Sequence, residues 1–219
     1  MNFKLLKKEF TLSLHATSIL FLAFCAFVFI PNYPYEVMFF FSGLSVFFVS
    51  LTARENGDIA FSCTLPVRKR EVALARVLFC AIFQLALLLL TGVTVAVKEV
   101  CFPQEMQINL AGSTANLALL GHGGVLLGLF NLIFFPWHMK EPTKVGLPFL
   151  VGAIVQFFVI AVLIVLRFVC PVYCDLLVAP DPENMGVKAI FFCVGIAFYF
   201  CATALAAYLA MRRFESTDL

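Results

Sequence analysis

Six long apolar runs alternate with short polar stretches along the chain, and they constrain its fold more than any other feature. The runs are 19 to 26 residues long and cover residues 12–30, 34–53, 72–97, 113–135, 145–170 and 187–211. A helix needs about 20 apolar residues to cross a hydrocarbon core of about 30 Å. The short alternating segments typical of a membrane barrel do not occur. The sequence therefore predicts an all-α membrane protein with six transmembrane helices in a single domain over residues 1–219.

Composition supports the same class of protein. Hydrophobic residues make up 63% of the chain, charged residues 13%, and the mean hydropathy is +1.01. A soluble domain is roughly half apolar and about one quarter charged. The sequence also lacks a basic stripe with interleaved aromatic residues, so we expect no nucleic-acid partner.

The distribution of basic residues predicts the orientation. Twelve of the 15 Lys and Arg residues fall at the N-terminus, at the C-terminus or in the loops on the same side of the membrane. The three on the other side are Lys98, Arg167 and Lys188, among acidic residues that include Glu36 and Glu105. By the positive-inside rule, both termini are predicted to be cytoplasmic.

The first dozen residues predict an interfacial helix. At 100° per residue, one face carries Phe3, Leu6, Phe10 and Leu14, and another carries Lys4, Lys7 and Lys8. Such a helix can lie in the membrane interface with its cations toward anionic headgroups. The alternative, that these residues simply begin the first span, stays open.

Charged groups are confined to the ends of the spans. Burying a charge costs roughly 2.5–3.5 kcal/mol even on insertion scales, so a charge at mid-depth would mark a functional site. The spans carry no Asp, Glu or Lys there, so a transport activity would need energy from elsewhere. Arg167 is interpreted as snorkelling or pairing with an outer acid such as Asp175, and a role in a gate or substrate contact is the alternative.

Milder polar residues inside the spans include Asn116, Asn131 and Gln156. We interpret most of them as interhelical hydrogen-bonding groups, although some could line a path. His122 is interpreted in the same way, as a packing residue. Glycines at positions 121, 124 and 128 predict a close helix-packing face in the fourth span.

Motifs for catalysis are missing from the sequence. A phosphate-binding Gly-x-x-x-x-Gly-Lys-Ser/Thr motif does not occur, and His15, His122 and His138 lack metal-ligand spacing. We therefore expect a non-catalytic chain with no cofactor or metal of its own. A disulfide among Cys101, Cys170 and Cys174 is left open.

The charged loop over residues 54–71 is the longest predicted cytoplasmic segment. Its basic cluster of Arg68, Lys69 and Arg70 suits anchoring at anionic headgroups. We expect the apolar Ile59, Phe61 and Leu65 to stand exposed in this cytoplasmic loop, beside Arg54, Glu55 and Asp58, and anchoring does not explain them. A short helix of this kind would suit docking into a cleft of a partner.

The stretch "LPVRKREVALARVL" at residues 65–78 resembles a signature of small type-2 ABC transporter permeases. Seven positions match that pattern: Leu65, Pro66, Val67, Lys69, Arg70, Glu71 and Val72. Arg68 stands where Ser or Thr is usual, and Arg76 replaces the usual Lys with its charge kept. The six spans, the cytoplasmic termini and the N-terminal elbow helix extend the resemblance over the whole chain.

The resemblance implies a multi-pass permease subunit of an ATP-driven exporter in a bacterial cytoplasmic membrane. Two permeases, identical or different, would form the path in the lipid bilayer, and a separate ATPase subunit would bind ATP and Mg. The coupling helix that docks on the ATPase would then correspond to residues 54–65. A hydrophobic or amphipathic peptide is the favoured substrate. An energy-independent membrane scaffold or assembly protein remains the alternative.

Overall fold

A computed structural model describes residues 3–14, 16–102, 109 and 111–217. His15 and Glu105 lie outside the described residues. The helices are α1 (Phe3–Lys8), α2 (Ala16–Leu22), α3 (Val37–Glu55), α4 (Asp58–Thr64), α5 (Lys69–Cys101), α6 (Leu117–His138), α7 (Gly146–Val169), α8 (Pro171–Tyr173) and α9 (Met185–Glu215). Within the described ranges, α3, α5, α6, α7 and α9 are long and apolar enough to cross a membrane. The predicted all-α membrane fold is confirmed.

The N-terminal region supplies a sixth candidate span, but it is bent. A π-helical turn over Glu9–Ser13 extends α1, and a 3-10 helix over Ala23–Phe29 extends α2. The segments 3–13 and 16–29 differ in direction by 90°. The predicted continuous run 12–30 is therefore broken near its start. Since a 3-10 helix rises about 2.0 Å per residue against 1.5 Å in an α-helix, segment 16–29 still extends about 25 Å.

The face of α1 that packs on the protein differs from the predicted apolar face. Leu5, Glu9 and Ser13 are buried, at the four-residue spacing that places side chains on one helix face. Phe3 is 75% exposed, and Phe10 is also exposed. The apolar face that the sequence predicted is therefore divided. Phe3 and Leu14 are exposed, whereas Leu6 packs against the hydrophobic core and the Phe10 ring lies 5.0 Å from the Phe79 ring.

Helices α6 and α9 approach backbone to backbone. A Cβ atom at Gly124 would lie 2.6 Å from the Gly195 carbonyl oxygen, and one at Gly195 would lie 2.4 Å from the Gly121 carbonyl oxygen. Real Cβ atoms do not come this close, so glycine is required at these positions. The close packing face predicted for the fourth span is confirmed, and α6 forms the centre of the bundle.

Following the predicted orientation, the inner end of the bundle is the end at which α5 begins and α9 ends, and the outer end is the opposite one.

The basic residues of the outer end are buried and bind polar groups of neighbouring segments. Lys98 donates to the Val28 carbonyl at 2.8 Å, and Lys188 donates to the Ala179 carbonyl at 2.6 Å and to the Asp181 carboxylate at 2.8 Å. These cations therefore stabilise the fold by linking helices to neighbouring segments.

Candidate functional site

The loop between the second and third predicted spans contains the short helix α4. Gly57 separates it from α3 with a φ of 62°, a left-handed conformation that glycine adopts without strain. Ile59 and Ser62 are three residues apart and face the protein. On the other side, Phe61 is 58% exposed and Leu65 is 37% exposed. Helix α4 thus presents an apolar outer surface and rests on a buried one.

Asp58, the first residue of α4, clusters with three charged side chains from other helical segments. We name the four residues the inner charge cluster: Lys8, Glu9, Asp58 and Arg76. Asp58 pairs with both Lys8 and Arg76 at 2.5 Å. Glu9 pairs with Arg76 at 3.2 Å and with Lys8 at 3.3 Å. All four side chains are largely buried, so this cluster joins the N-terminal helix, α4 and the first turns of α5.

Two residues predicted to contact a partner instead make contacts within the protein. Ile59 is only 6% exposed and belongs to the hydrophobic core. The Asp58 carboxylate forms ion pairs within the inner charge cluster. The expectation that apolar Ile59 stands exposed was wrong, because the helical period turns it inward with Ser62. Arg54 and Glu55 end α3 and are exposed, as are Phe61 and Leu65.

The predicted membrane anchors divide into three groups. Lys4, Lys7 and Arg68 have exposed side chains. Lys69 donates to the Thr217 carbonyl at 2.7 Å, and Arg70 pairs with Glu215, so both attach the end of α9 to the start of α5. Lys8 differs from the expectation, because its ammonium group pairs with Asp58 and donates to the Ser62 hydroxyl at 2.6 Å.

A second group of polar residues is buried at the outer end, and we name it the outer charge cluster: Glu36, Ser113, His122, Arg167 and Tyr173. Arg167 pairs with Glu36 and donates to the Ser113 hydroxyl at 2.6 Å. The His122 Nδ1 atom lies 3.7 Å from a Glu36 carboxylate oxygen, and the Tyr173 hydroxyl lies 2.7 Å from His122 Nε2. The cluster connects α3, α6, α7 and α8.

Arg167 therefore does not snorkel. Its buried side chain pairs with an acidic residue, as the second interpretation expected. The partner is Glu36 rather than Asp175. Burial raises the pKa of the Tyr173 hydroxyl to about 12, so Tyr173 stays protonated at neutral pH. A protonated hydroxyl keeps its hydrogen bond with His122.

At mid-depth the bundle is held by neutral side chains. Asn131 and Gln84 exchange two hydrogen bonds, at 2.7 and 2.8 Å, and Asn131 also donates to the Thr203 hydroxyl at 2.9 Å. Tyr199 donates to Gln84 Oε1 at 3.0 Å. This amide network joins α5, α6 and α9, so Asn131 makes the interhelical hydrogen bonds expected of a polar group in a span.

The other two residues proposed for a path are also buried. The Asn116 side chain accepts from the Leu119 N–H at the start of α6 and donates to the Leu177 and Ala179 carbonyls at 2.7 and 3.0 Å. Gln156 donates to the Leu126 carbonyl at 3.2 Å. Both therefore fix helix ends or helix pairs in this conformation, and a role in a path stays a prediction.

The three outer cysteines are free thiols. Cys101 is exposed at the end of α5, and Cys170 and Cys174 are partly buried on either side of α8. The sequence could not decide between thiols and a disulfide, because spacing along the chain does not fix the distance between cysteines.

Comparison with known proteins identifies the family. The family model described as ABC-2 family transporter protein matches residues 4–215, which is nearly the whole chain. No curated protein and no solved structure matches the chain. The match covers the candidate spans, the α4 loop and both charge clusters together, and it confirms the resemblance carried by residues 65–78. The chain belongs to the ABC-2 transporter family and is a multi-pass transmembrane permease subunit of an ABC transporter.

Proposed function

We propose that this permease works in an ATP-driven exporter and that α4 with its flanking residues docks on a separate ATPase subunit. A second permease, identical or related, completes the translocation path in the cytoplasmic membrane of a bacterium. ATP and Mg bind to the ATPase subunit. The exported substrate is a hydrophobic or amphipathic peptide, which the apolar bundle suits better than a strongly charged one.

The exposed face of α4 carries the proposal. Phe61 and Leu65 present apolar side chains at the inner end, with the exposed charges of Arg54 and Glu55 beside them. An aromatic anchor with a charged rim is a common arrangement in a binding surface. A short helix that inserts such an anchor into a groove is an established recognition mode.

The inner charge cluster gives docking a mechanical consequence. Removing one partner from a buried ion pair costs about 3–5 kcal/mol, and Asp58 of α4 has two such partners, Lys8 and Arg76. Displacement of α4 is therefore expected to move α1 and α5 with it. A docked ATPase would act on three helices through one small contact.

The test compares two exposed phenylalanines. The affinity-tagged permease is purified in mild detergent from cells that also produce the ATPase subunit, and co-purified ATPase and ATP hydrolysis are measured. Phe61→Ala should lower the amount of bound ATPase about tenfold, since truncation of an aromatic anchor commonly costs at least about 1.4 kcal/mol. Phe158→Ala is the matched control, because Phe158 is similarly exposed but lies within the span α7.

Unchanged ATPase binding and hydrolysis in a folded Phe61→Ala variant would contradict docking through α4. Export is tested separately with inside-out vesicles that contain the complex. ATP added outside should drive a labelled amphipathic peptide into these vesicles, and accumulation only in right-side-out vesicles loaded with ATP would show import.

A further inference from the structure

A groove runs along the surface between α5 and α9. Its volume is about 400 Å³, and its walls include Leu74, Ile82 and Leu85 of α5 and Phe200, Ala204 and Met211 of α9. Both helices are candidate membrane spans. An apolar groove at this depth is in contact with the hydrocarbon region of a bilayer.

The polar groups along the groove are already satisfied within the protein. The Tyr199 hydroxyl donates to the Ala81 carbonyl and to Gln84, and the Thr203 hydroxyl accepts from Asn131. The groove therefore offers hydrocarbon surface and no unpaired hydrogen-bonding group. An aliphatic chain meets that requirement, whereas an extended peptide would leave its backbone polar groups unsatisfied.

The length of the groove matches one leaflet. From Leu74 to Leu85, α5 advances about 17 Å at 1.5 Å per residue. Half of the hydrocarbon core of a bilayer is about 15 Å. A groove of this length, beginning near the inner end, covers the depth that a lipid acyl chain of the inner leaflet occupies.

A basic pocket continues the groove at the inner end. It has a volume of about 170 Å³ and is lined by Arg70, Tyr208, Met211 and Arg212. Met211 lines both cavities, so they adjoin. Arg70 shares its charge with Glu215, whereas Arg212 makes no ion pair within the described part of the chain. Guanidinium groups bind phosphate through paired hydrogen bonds, and tyrosine is favoured at the membrane interface.

We propose that this compound site binds an anionic phospholipid of the inner leaflet. The phosphate lies between Arg70 and Arg212, beside the Tyr208 ring, and one acyl chain fills the groove between α5 and α9. Arg212 supplies a cation that no carboxylate of the described residues shares. The occupant is a membrane lipid rather than a soluble phosphate, because only a lipid uses the pocket and the groove together. The binding is independent of transport.

The test uses the single tryptophan of the sequence, Trp137. Trp137→Phe removes it, and Ile82→Trp places a new indole in the groove. The full-length protein is reconstituted in vesicles that contain phosphatidylcholine and a small fraction of lipid with brominated acyl chains. Brominated phosphatidylglycerol should quench the indole more strongly than brominated phosphatidylcholine at the same mole fraction. A second reporter, Leu85→Trp, gives the same comparison if Ile82→Trp disturbs folding.

Charge removal distinguishes a site from general attraction. Each cation near an anionic surface contributes about fivefold in affinity, so Arg70→Gln with Arg212→Gln should lower the preference for the anionic lipid about 25-fold. Arg68→Gln is the matched control, because Arg68 is exposed and lies outside the pocket, two positions from Arg70. A headgroup bound at Arg68 as a predicted anchor would not place an acyl chain beside the indole in the groove. Retention of the preference in the control supports the site.

Four results would overturn the proposal. These are equal quenching by the two lipids, an equal loss of preference in Arg68→Gln, displacement of the lipid by soluble glycerol phosphate, and no quenching by either lipid. The last would mean that a protein helix, such as that of a second copy, fills the groove. ATP and the ATPase subunit are absent from the assay, so its outcome is separate from that of the docking test.

Discussion

The buried pair of Glu36 and Arg167 allows a quantitative prediction. Its side chains are 2% and 3% exposed, and Arg167 also holds the Ser113 hydroxyl at 2.6 Å. Arg167→Met leaves a carboxylate buried without its cation, and Glu36→Met leaves a guanidinium without its anion. Removing one partner of a buried pair costs about 3–5 kcal/mol. Each single variant should therefore be strongly destabilised.

The double variant should behave differently. Replacing a buried ion pair by apolar residues of similar volume is often neutral or stabilising, because no buried charge is left uncompensated. Glu36→Met with Arg167→Met should recover most of the stability lost in either single variant. Since the two residues are in contact, their effects are expected to be strongly non-additive.

The assay is thermal unfolding of the purified chain in detergent. For a chain of this length, 1 kcal/mol corresponds to about 2–4 °C in Tm, so each single variant should unfold about 6–20 °C lower. Glu141→Gln is the matched control. It breaks the exposed ion pair with Lys144, and exposed pairs contribute little, so its Tm should stay unchanged. A double variant as unstable as the singles, or stable single variants, would refute the reasoning.

Two further predictions concern helix packing and cysteine reactivity. Gly124→Val should abolish the monodisperse peak of folded protein in size-exclusion chromatography, because the added Cβ atom would lie 2.6 Å from the Gly195 carbonyl oxygen. Gly146→Val is the control and should keep that peak, because no atom lies within 4 Å of its added Cβ. Burial raises the pKa of the Cys63 thiol, so at pH 7.5 a single-cysteine variant that keeps Cys63 should react with maleimide more slowly than one that keeps the exposed Cys101. Since the thiolate is the reactive form, the Cys63 rate should still rise with pH above the usual thiol pKa of about 8.5, and equal rates at both positions would contradict the assignment.

Hydropathy predicted the helical membrane fold because the apolar length of a span is a local property of the chain. The glycine spacing in α6 was equally informative, since it reports how closely a neighbouring helix can approach. The bend between segments 3–13 and 16–29 and the 3-10 helix over Ala23–Phe29 were not predictable in this way. Both leave the hydropathy of the run 12–30 unchanged, so the sequence could not locate the bend.

The charge clusters depend on tertiary contacts that periodicity does not contain. Glu36 and Arg167 are separated by 131 positions, whereas Asp175 is much nearer to Arg167 along the chain. Ile59 was expected to be exposed because it lies in a predicted loop. A loop that folds into a helix has its own buried face, and that face includes Ile59.

Helix α3 connects the two charge clusters. It begins directly after Glu36 of the outer charge cluster and ends three residues before Asp58 of the inner one. Its 19 residues extend about 28 Å, close to the thickness of the hydrocarbon core. Because breaking a buried ion pair costs several kcal/mol, a motion that keeps the inner charge cluster intact moves α4 together with α1 and α5. Helix α3 is joined to α4 through the short turn of Asn56 and Gly57. Helix α3 therefore connects α4 with Glu36, the partner of Arg167, and this connection needs no charged group in the middle of the membrane.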